Sequence, residues 1–213
     1  MSAKIAVIYY SATGTVHALA EAVAQGAAED GAEVRLRRVA EFAPAAEIGL
    51  NPRWREHLDS VTSSVPEAGM ADLEWADGYA FGTPTRYGTP AAQLKQFIDQ
   101  TGPLWQRGVL ADKPVTSFTA AMNRHGGQEA TILALNNVFY HWGSLIVSPG
   151  YTDPLLYAAG GNPYGTCHVT GYPGTPPGEE ILAAARYQGR RLAGFTAKLA
   201  THTGELATVG LPA

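Results

Sequence analysis

The sequence predicts an α/β fold in which a parallel sheet is covered by helices on both faces. Three observations carry this. Short apolar runs of strand length recur along the chain. Segments of helix length with apolar residues on one face separate them. The first such run passes through a loop of small and hydroxylated residues straight into a helix, which is the start of a β-α-β unit.

The elements follow in order. Lys4–Tyr9 is apolar almost throughout and reads as a buried strand, and His17–Glu29 is rich in good helix formers. Glu33–Arg38 alternates in strand fashion. Residues 41–70 are expected to be irregular, with Pro44, Pro52 and Pro66 and scattered charge. Gly78–Gly82 is a short buried strand. Pro90–Thr101 is a helix whose Leu94, Phe97, Ile98 and Thr101 share one face. Val115–Thr119 is the next strand, Gln128–Trp142 a helix and Leu145–Val147 the last strand. Residues 148–178 are rich in Gly and Pro, and too long for an ordinary strand–helix connection. Glu179–Leu199 is a long final helix, and 200–213 is expected to be a frayed tail. Five strands fit the flavodoxin-like order 2-1-3-4-5 within one domain spanning 1–199, where ligands sit beyond the carboxyl ends of the strands.

Bulk properties narrow the function. The 213 residues carry a formal net charge of −4, which offers no basic field for nucleic acid. A single cysteine, Cys167, excludes an intrachain disulfide and argues against a cysteine-held cluster. No apolar run is long enough to span a bilayer and no leader precedes the first strand, so no membrane insertion and a cytoplasmic location are expected.

If ligands bind at the carboxyl ends, the loops there should hold the unusual residues, and three do. The first is Ser11-Ala12-Thr13-Gly14-Thr15-Val16. Its hydroxyls, a glycine and the N–H groups of the following helix form an anion site held by neutral donors, because no Lys or Arg lies within it. It lacks the G-x-G-x-x-G of a dinucleotide site and suits one terminal phosphate. The second is Pro84-Thr85-Arg86-Tyr87-Gly88-Thr89, and the third Ala121-Met122-Asn123-Arg124-His125-Gly126. Their glycines allow the main chain to approach the edge of a flat heterocycle. No metal-ligand spacing and no G-x-S-x-G nucleophile elbow occurs, so neither a metal nor a catalytic side chain is assigned.

Six segments in order carry a family resemblance. The 11–16 loop looks like a flavodoxin FMN-phosphate loop. Gly82–Gly88, Asp99–Trp105, Gly126–Glu129, Gly150-Tyr151 with Gly161–Gly165, and Ala185–Gly189 go further. Together they resemble the WrbA family of FMN-dependent NAD(P)H:quinone oxidoreductases. In place of a Gly/Thr-rich run before Gly126, this chain has Met122–His125.

The resemblance implies that Ser11–Val16 hold the FMN phosphate and Pro84–Thr89 wrap the isoalloxazine, with Arg86 near its polar edge. It implies that Ala121–Gly126 close the other side. His141 would reach a flavin site, from a neighbouring subunit in some assemblies. Trp105 and Tyr151 would line the cavity where a quinone stacks. FMN would be prosthetic, NADH or NADPH the co-substrate, and the chain a homo-oligomer, typically a tetramer.

On residues alone each assignment has a plainer counterpart. Arg86 can be a surface arginine, His141 a helix-end histidine, Trp105 a packing residue, and Arg124 with His125 a solvated pair. A flavodoxin-like electron carrier that docks proteins also stays open, as does a DNA-associated adaptor. The mild acidity and the long 148–178 segment argue against the carrier, and the missing basic patch against the adaptor.

Overall fold

In the computed structural model, residues 2–200 are described. β1 (Lys4–Tyr9) pairs in parallel with β2 (Glu33–Arg38) on one side and with β3 (Gly78–Arg86), the central strand, on the other. β5 (Pro114–Ala121) continues beyond β3, and β6 (Leu145–Ile146) closes that side. The order β2-β1-β3-β5-β6 is the expected one. Two further strands were not expected. β4 (Thr89–Pro90) folds back antiparallel on the end of β3, and β7 (Cys167–Val169) lies parallel to β5.

Alternate residues of β1 feed two apolar layers. Ile5, Val7 and Tyr9 face α1 (Thr15–Glu29) and α9 (Glu179–Ala200), with Val16, Leu19, Val23, Phe118 and Leu192. Ala6 and Ile8 face the layer under α5 (Ala92–Asp99) and α7 (Gln128–Trp142), with Phe81, Leu94, Phe97, Phe139 and Trp142. On the first face two glycines let the backbones of α1 and α9 touch. A Cβ on Gly189 would lie 2.0 Å from the Val23 carbonyl oxygen, and one on Gly26 1.9 Å from that of Arg186.

Residues 41–70 are not irregular. They form α2 (Ala45–Gly49), α3 (Pro52–Thr62) and the start of α4 (Met70–Trp75). Two of the three prolines that read as breakers are helix starters. Pro44 caps α2, and Pro52 occupies the first turn of α3 behind Asn51, whose side chain accepts from Trp54 N. A short α6 (Gly102–Gln106) follows α5.

Residues 148–178 are likewise partly regular, holding α8 (Pro154–Ala158) and β7. The fifth strand position is split. β6 pairs with the first two residues of β5, and β7 with the last three. Gln188 of α9 fills the gap between them. Its amide donates to Ser117 O (2.8 Å) and Thr116 Oγ1 (2.6 Å) and accepts from Thr166 N (2.8 Å). The expected tail beyond Ala200 lies outside the described residues. No described helix is long and apolar enough to cross a membrane.

Candidate functional site

The carboxyl ends of β1, β3 and β5 stand side by side, so the three expected loops form one continuous rim. At the first, Tyr10 N still donates to Gly82 O (2.9 Å), and the chain then turns through Gly14 at φ 90° into α1. That φ is in the left-handed region, which glycine adopts without strain. Gly14 N donates to Ser11 Oγ (3.1 Å). No side chain caps the first turn of α1, and no acidic residue occupies it. Its N–H groups and dipole therefore face the loop without an opposing carboxylate.

The second loop is the hairpin between β3 and β4. Tyr87 (φ 52°) and Gly88 (φ 76°) form its turn, with both central residues at positive φ. A tyrosine held there is strained, and its ring is fully exposed above the rim. Arg86 is exposed beside it. Below, Thr85 and Thr119 join hydroxyl to hydroxyl (3.0 Å), and Thr119 Oγ1 donates to Thr83 O (2.6 Å). These buried bonds fix the ends of β3 and β5 relative to each other.

The third loop is held from behind. Gln128 Nε2 donates to the carbonyls of Asn123 (2.9 Å) and Arg124 (3.3 Å). Thr170 N and Gly171 N donate to the carbonyls of Ala121 and Met122. The backbone is thereby fixed while the side chains of Met122, Asn123, Arg124 and His125 are exposed. Gly127, at φ 89°, lies against Gly88: a Cβ there would be 2.9 Å from Gly88 Cα.

Sequence reasoning missed the groups that brace this rim. Glu41 follows β2, and its carboxylate accepts from Tyr10 Oη (2.7 Å), Trp54 Nε1 (3.0 Å), Gln93 Nε2 (2.8 Å) and the N–H groups of Phe42 and Ala43. Burial pushes its pKa up, but these donors together outweigh that and hold it below the usual carboxylate value. α3 lies across the first loop. Arg53 donates to the carbonyls of Pro173 (2.7 Å) and Gly174 (3.1 Å), and His57 packs on Gly14. A lone histidine in a charged segment gave no sequence signal for this.

Three expected residues stand elsewhere in the single chain. α7 starts at the rim and runs down the sheet, so His141 in its last turn sits beside β6, whose Leu145 pairs with the first residue of β5. Trp105 shares a cleft with His141 at that amino end. Tyr151 lies on the excursion between β6 and β7, stacked on Tyr157 with centroids 5.2 Å apart. Within one chain, Trp105 and His141 therefore stand apart from Arg86 and the 121–126 loop. The physical reason is the direction of α7, which separates its two ends by the height of the sheet.

The rim fits a flavin mononucleotide. One loop offers donors for a single phosphate, two others offer backbone at glycine-lined edges, and His57 Nε2 is buried with no hydrogen-bond partner among the described residues.

This topology and rim define a flavodoxin-like α/β protein. A family model described as NADPH-dependent FMN reductase matches residues 3–152. The NAD(P)H dehydrogenase (quinone) of Deinococcus radiodurans is 42% identical over 196 residues, covering 92% of this chain and 96% of that protein. The protein of the same description from Geotalea uraniireducens is 40% identical over 206 residues, covering 92% and 99%. The structure of a WrbA-like flavodoxin from Agrobacterium tumefaciens is 26% identical, with a TM-score of 0.66 and coverage of 92% and 99%. An archaeal flavodoxin at 15% identity and a TM-score of 0.59 shares the fold. The chain belongs to the NADPH-dependent FMN reductase family, among its WrbA-type quinone dehydrogenases.

Proposed function

We propose that this protein is an FMN-dependent NAD(P)H:quinone oxidoreductase, built as one flavin-binding domain over 1–199 and working in the cytoplasm as a homo-oligomer. The carrying observation is the single-phosphate loop at Ser11–Val16, flush with two glycine-bearing loops on one rim, in a chain about 40% identical to several NAD(P)H dehydrogenases (quinone).

Bound FMN would supply the redox chemistry, hydride acceptance from the nicotinamide and two-electron reduction of a quinone. The chain's own residues bind and orient. Ser11–Val16 and the α1 terminus hold the phosphate. Pro84–Thr89 and Ala121–Gly126 present backbone to the ring, with Arg86 and Arg124 as nearby cations. No side chain needs to move a proton for hydride transfer.

Trp105, 46% exposed, and the exposed His141 lie at the far end of the domain, where a second copy can bring them to its neighbour's rim. The separation supports an oligomer, and the family resemblance supports taking it as a tetramer. With one stacking face for both substrates, NAD(P)⁺ leaves before quinone enters.

Steady-state oxidation of NADH by a soluble benzoquinone, with FMN-loaded protein, tests the reading. Turnover with parallel double-reciprocal lines is expected. Electron transfer only to a protein partner would establish the carrier reading instead, and intersecting lines would place the two substrates in separate sites.

A further inference from the structure

A phosphate monoester carries about −1.5 to −2 charges at neutral pH. The loop at 11–16 has no cationic side chain, and a helix dipole contributes only about half a charge. The missing charge has a source on another element. α3 crosses the loop and sets His57 against it, so that a Cβ on Gly14 would lie 3.4 Å from His57 Nδ1. The ring of His17 on α1 is 5.4 Å from that of His57.

The two histidines are not equivalent. His17 is committed at both nitrogens: Tyr9 Oη lies 2.6 Å from Nδ1, and Glu21 Oε1 lies 3.4 Å from Nε2. A neutral ring protonated on Nε2 satisfies both contacts. His57 has a buried Nε2 without a partner among the described residues. It shares a small cavity with Tyr9, Tyr10, Ser11, Arg38 and Glu41.

Building on the FMN assignment, we infer that His57 is a ligand of the flavin's terminal phosphate, supplying a ring N–H and, on binding, the positive charge that the loop lacks. The groups that face it decide its charge. Tyr9 comes from β1, His17 and behind it Glu21 from α1, and Arg38, Glu41 and Tyr10 line the cavity wall. Glu41 is already engaged by its five donors. Without phosphate, burial and then the neighbouring His17 hold His57 down to about 4, so it is neutral at pH 7. A dianion at Gly14 reverses that balance, and FMN binding takes up a proton that riboflavin binding does not.

Calorimetric titration of the apoprotein at pH 7 with FMN and with riboflavin, in two buffers of different ionisation enthalpy, reads this directly. His57→Gln is expected to weaken FMN binding tenfold or more, leave riboflavin binding unchanged, and abolish the extra proton uptake. Imidazole proton shifts in the unaltered protein give a second readout: one histidine should become protonated with FMN and stay neutral with riboflavin. Equal loss of both flavins in His57→Gln would mean that the residue only props α3, and unchanged FMN affinity would mean no contact; either overturns the inference. Unaltered protein that binds FAD more tightly than FMN would instead overturn the cofactor assignment on which it stands.

Discussion

The indole N–H of Trp105 donates to the backbone carbonyl of His141 at 2.8 Å. This bond ties α6 to the last turn of α7, so the two residues form one rigid unit. The unit lies at the amino end of the sheet, while the phosphate loop lies at the carboxyl end. Under the proposed reading, the chain carries the flavin loops at one end of the sheet and the Trp105–His141 unit at the other.

Mixing variants tests whether two chains complete the site. Thr13→Glu sets a like charge against the phosphate, and Trp105→Ala removes an aromatic wall worth about 1 kcal/mol in a stacked pair. Each variant alone should lose quinone reductase activity. Under the shared-site proposal, hybrid oligomers should regain part of it, with the flavin loop of one chain meeting the tryptophan of another. Light scattering with FMN present should give a tetramer. A fully active monomer would show that each chain is sufficient by itself.

Cofactor choice is set by the single phosphate site. FMN should bind more tightly than FAD, and Thr13→Glu should weaken FMN by more than about tenfold, or roughly 1.4 kcal/mol. Competitive reconstitution of the apoprotein followed by release of the bound flavin gives the answer.

How much of this was legible depends on which forces act locally. The main strands and the helix at 92–99 follow from apolar runs and spacing, a short-range signal, and their alternation matches the flavodoxin-like order. The split fifth strand does not, because Gln188 closes it from α9, 71 residues from Ser117. The Ala185–Gly189 motif carried family information whose cause appears only in three dimensions. Gln188 completes the ladder, and Gly189 lets α9 touch α1. Pro52 misled because proline both breaks helices and begins them, and the cap at Asn51 decides which. Where Trp105 acts is not legible in the motif, because a motif gives residues but not the chain on which they act.

The contact of Gly127 with Gly88 couples two loops of the rim. Gly127→Ala would force a left-handed side chain into the Gly88 backbone, at a cost of roughly 1–3 kcal/mol. The urea midpoint should fall accordingly, and FMN should bind more weakly because both loops must shift. Unchanged affinity would mean that the flavin does not lean on these loops.

Gln188→Leu keeps the bulk of the side chain and removes its polar atoms. Ser117 O, Thr116 Oγ1 and Thr166 N then lose a buried partner, and each such loss costs about 1–3 kcal/mol. A large drop in unfolding free energy is expected with little change in Kd for FMN, since the gap lies halfway down the sheet. Wild-type stability in this variant would show that water or a backbone shift replaces the glutamine.

The stability of the apoprotein should depend on pH through the paired histidines. Burial first, and then His17, lowers the pKa of His57 from 6.5 to about 4, and burial also lowers that of His17 against the opposing pull of Glu21. Between those values the unfolded chain binds protons that the folded chain does not. Stability must therefore rise with pH across the window, and fall as pH drops from 6.5 toward about 4. Glu41 acts in the same direction lower down: its folded pKa is depressed, so its contribution is present above 4.5 and is lost as pH falls through the folded value. Urea midpoints measured from pH 8 to pH 4 should be flat at first and then decline through the histidine window. His57→Gln should remove the part of that decline due to His57 and leave the lower limb set by Glu41. A profile that stays level down to pH 5, or a variant whose decline is as steep as that of the unaltered chain, would mean that His57 takes up its proton as readily in the folded protein as in the unfolded one, and that the α3 crossing leaves its ring open to water.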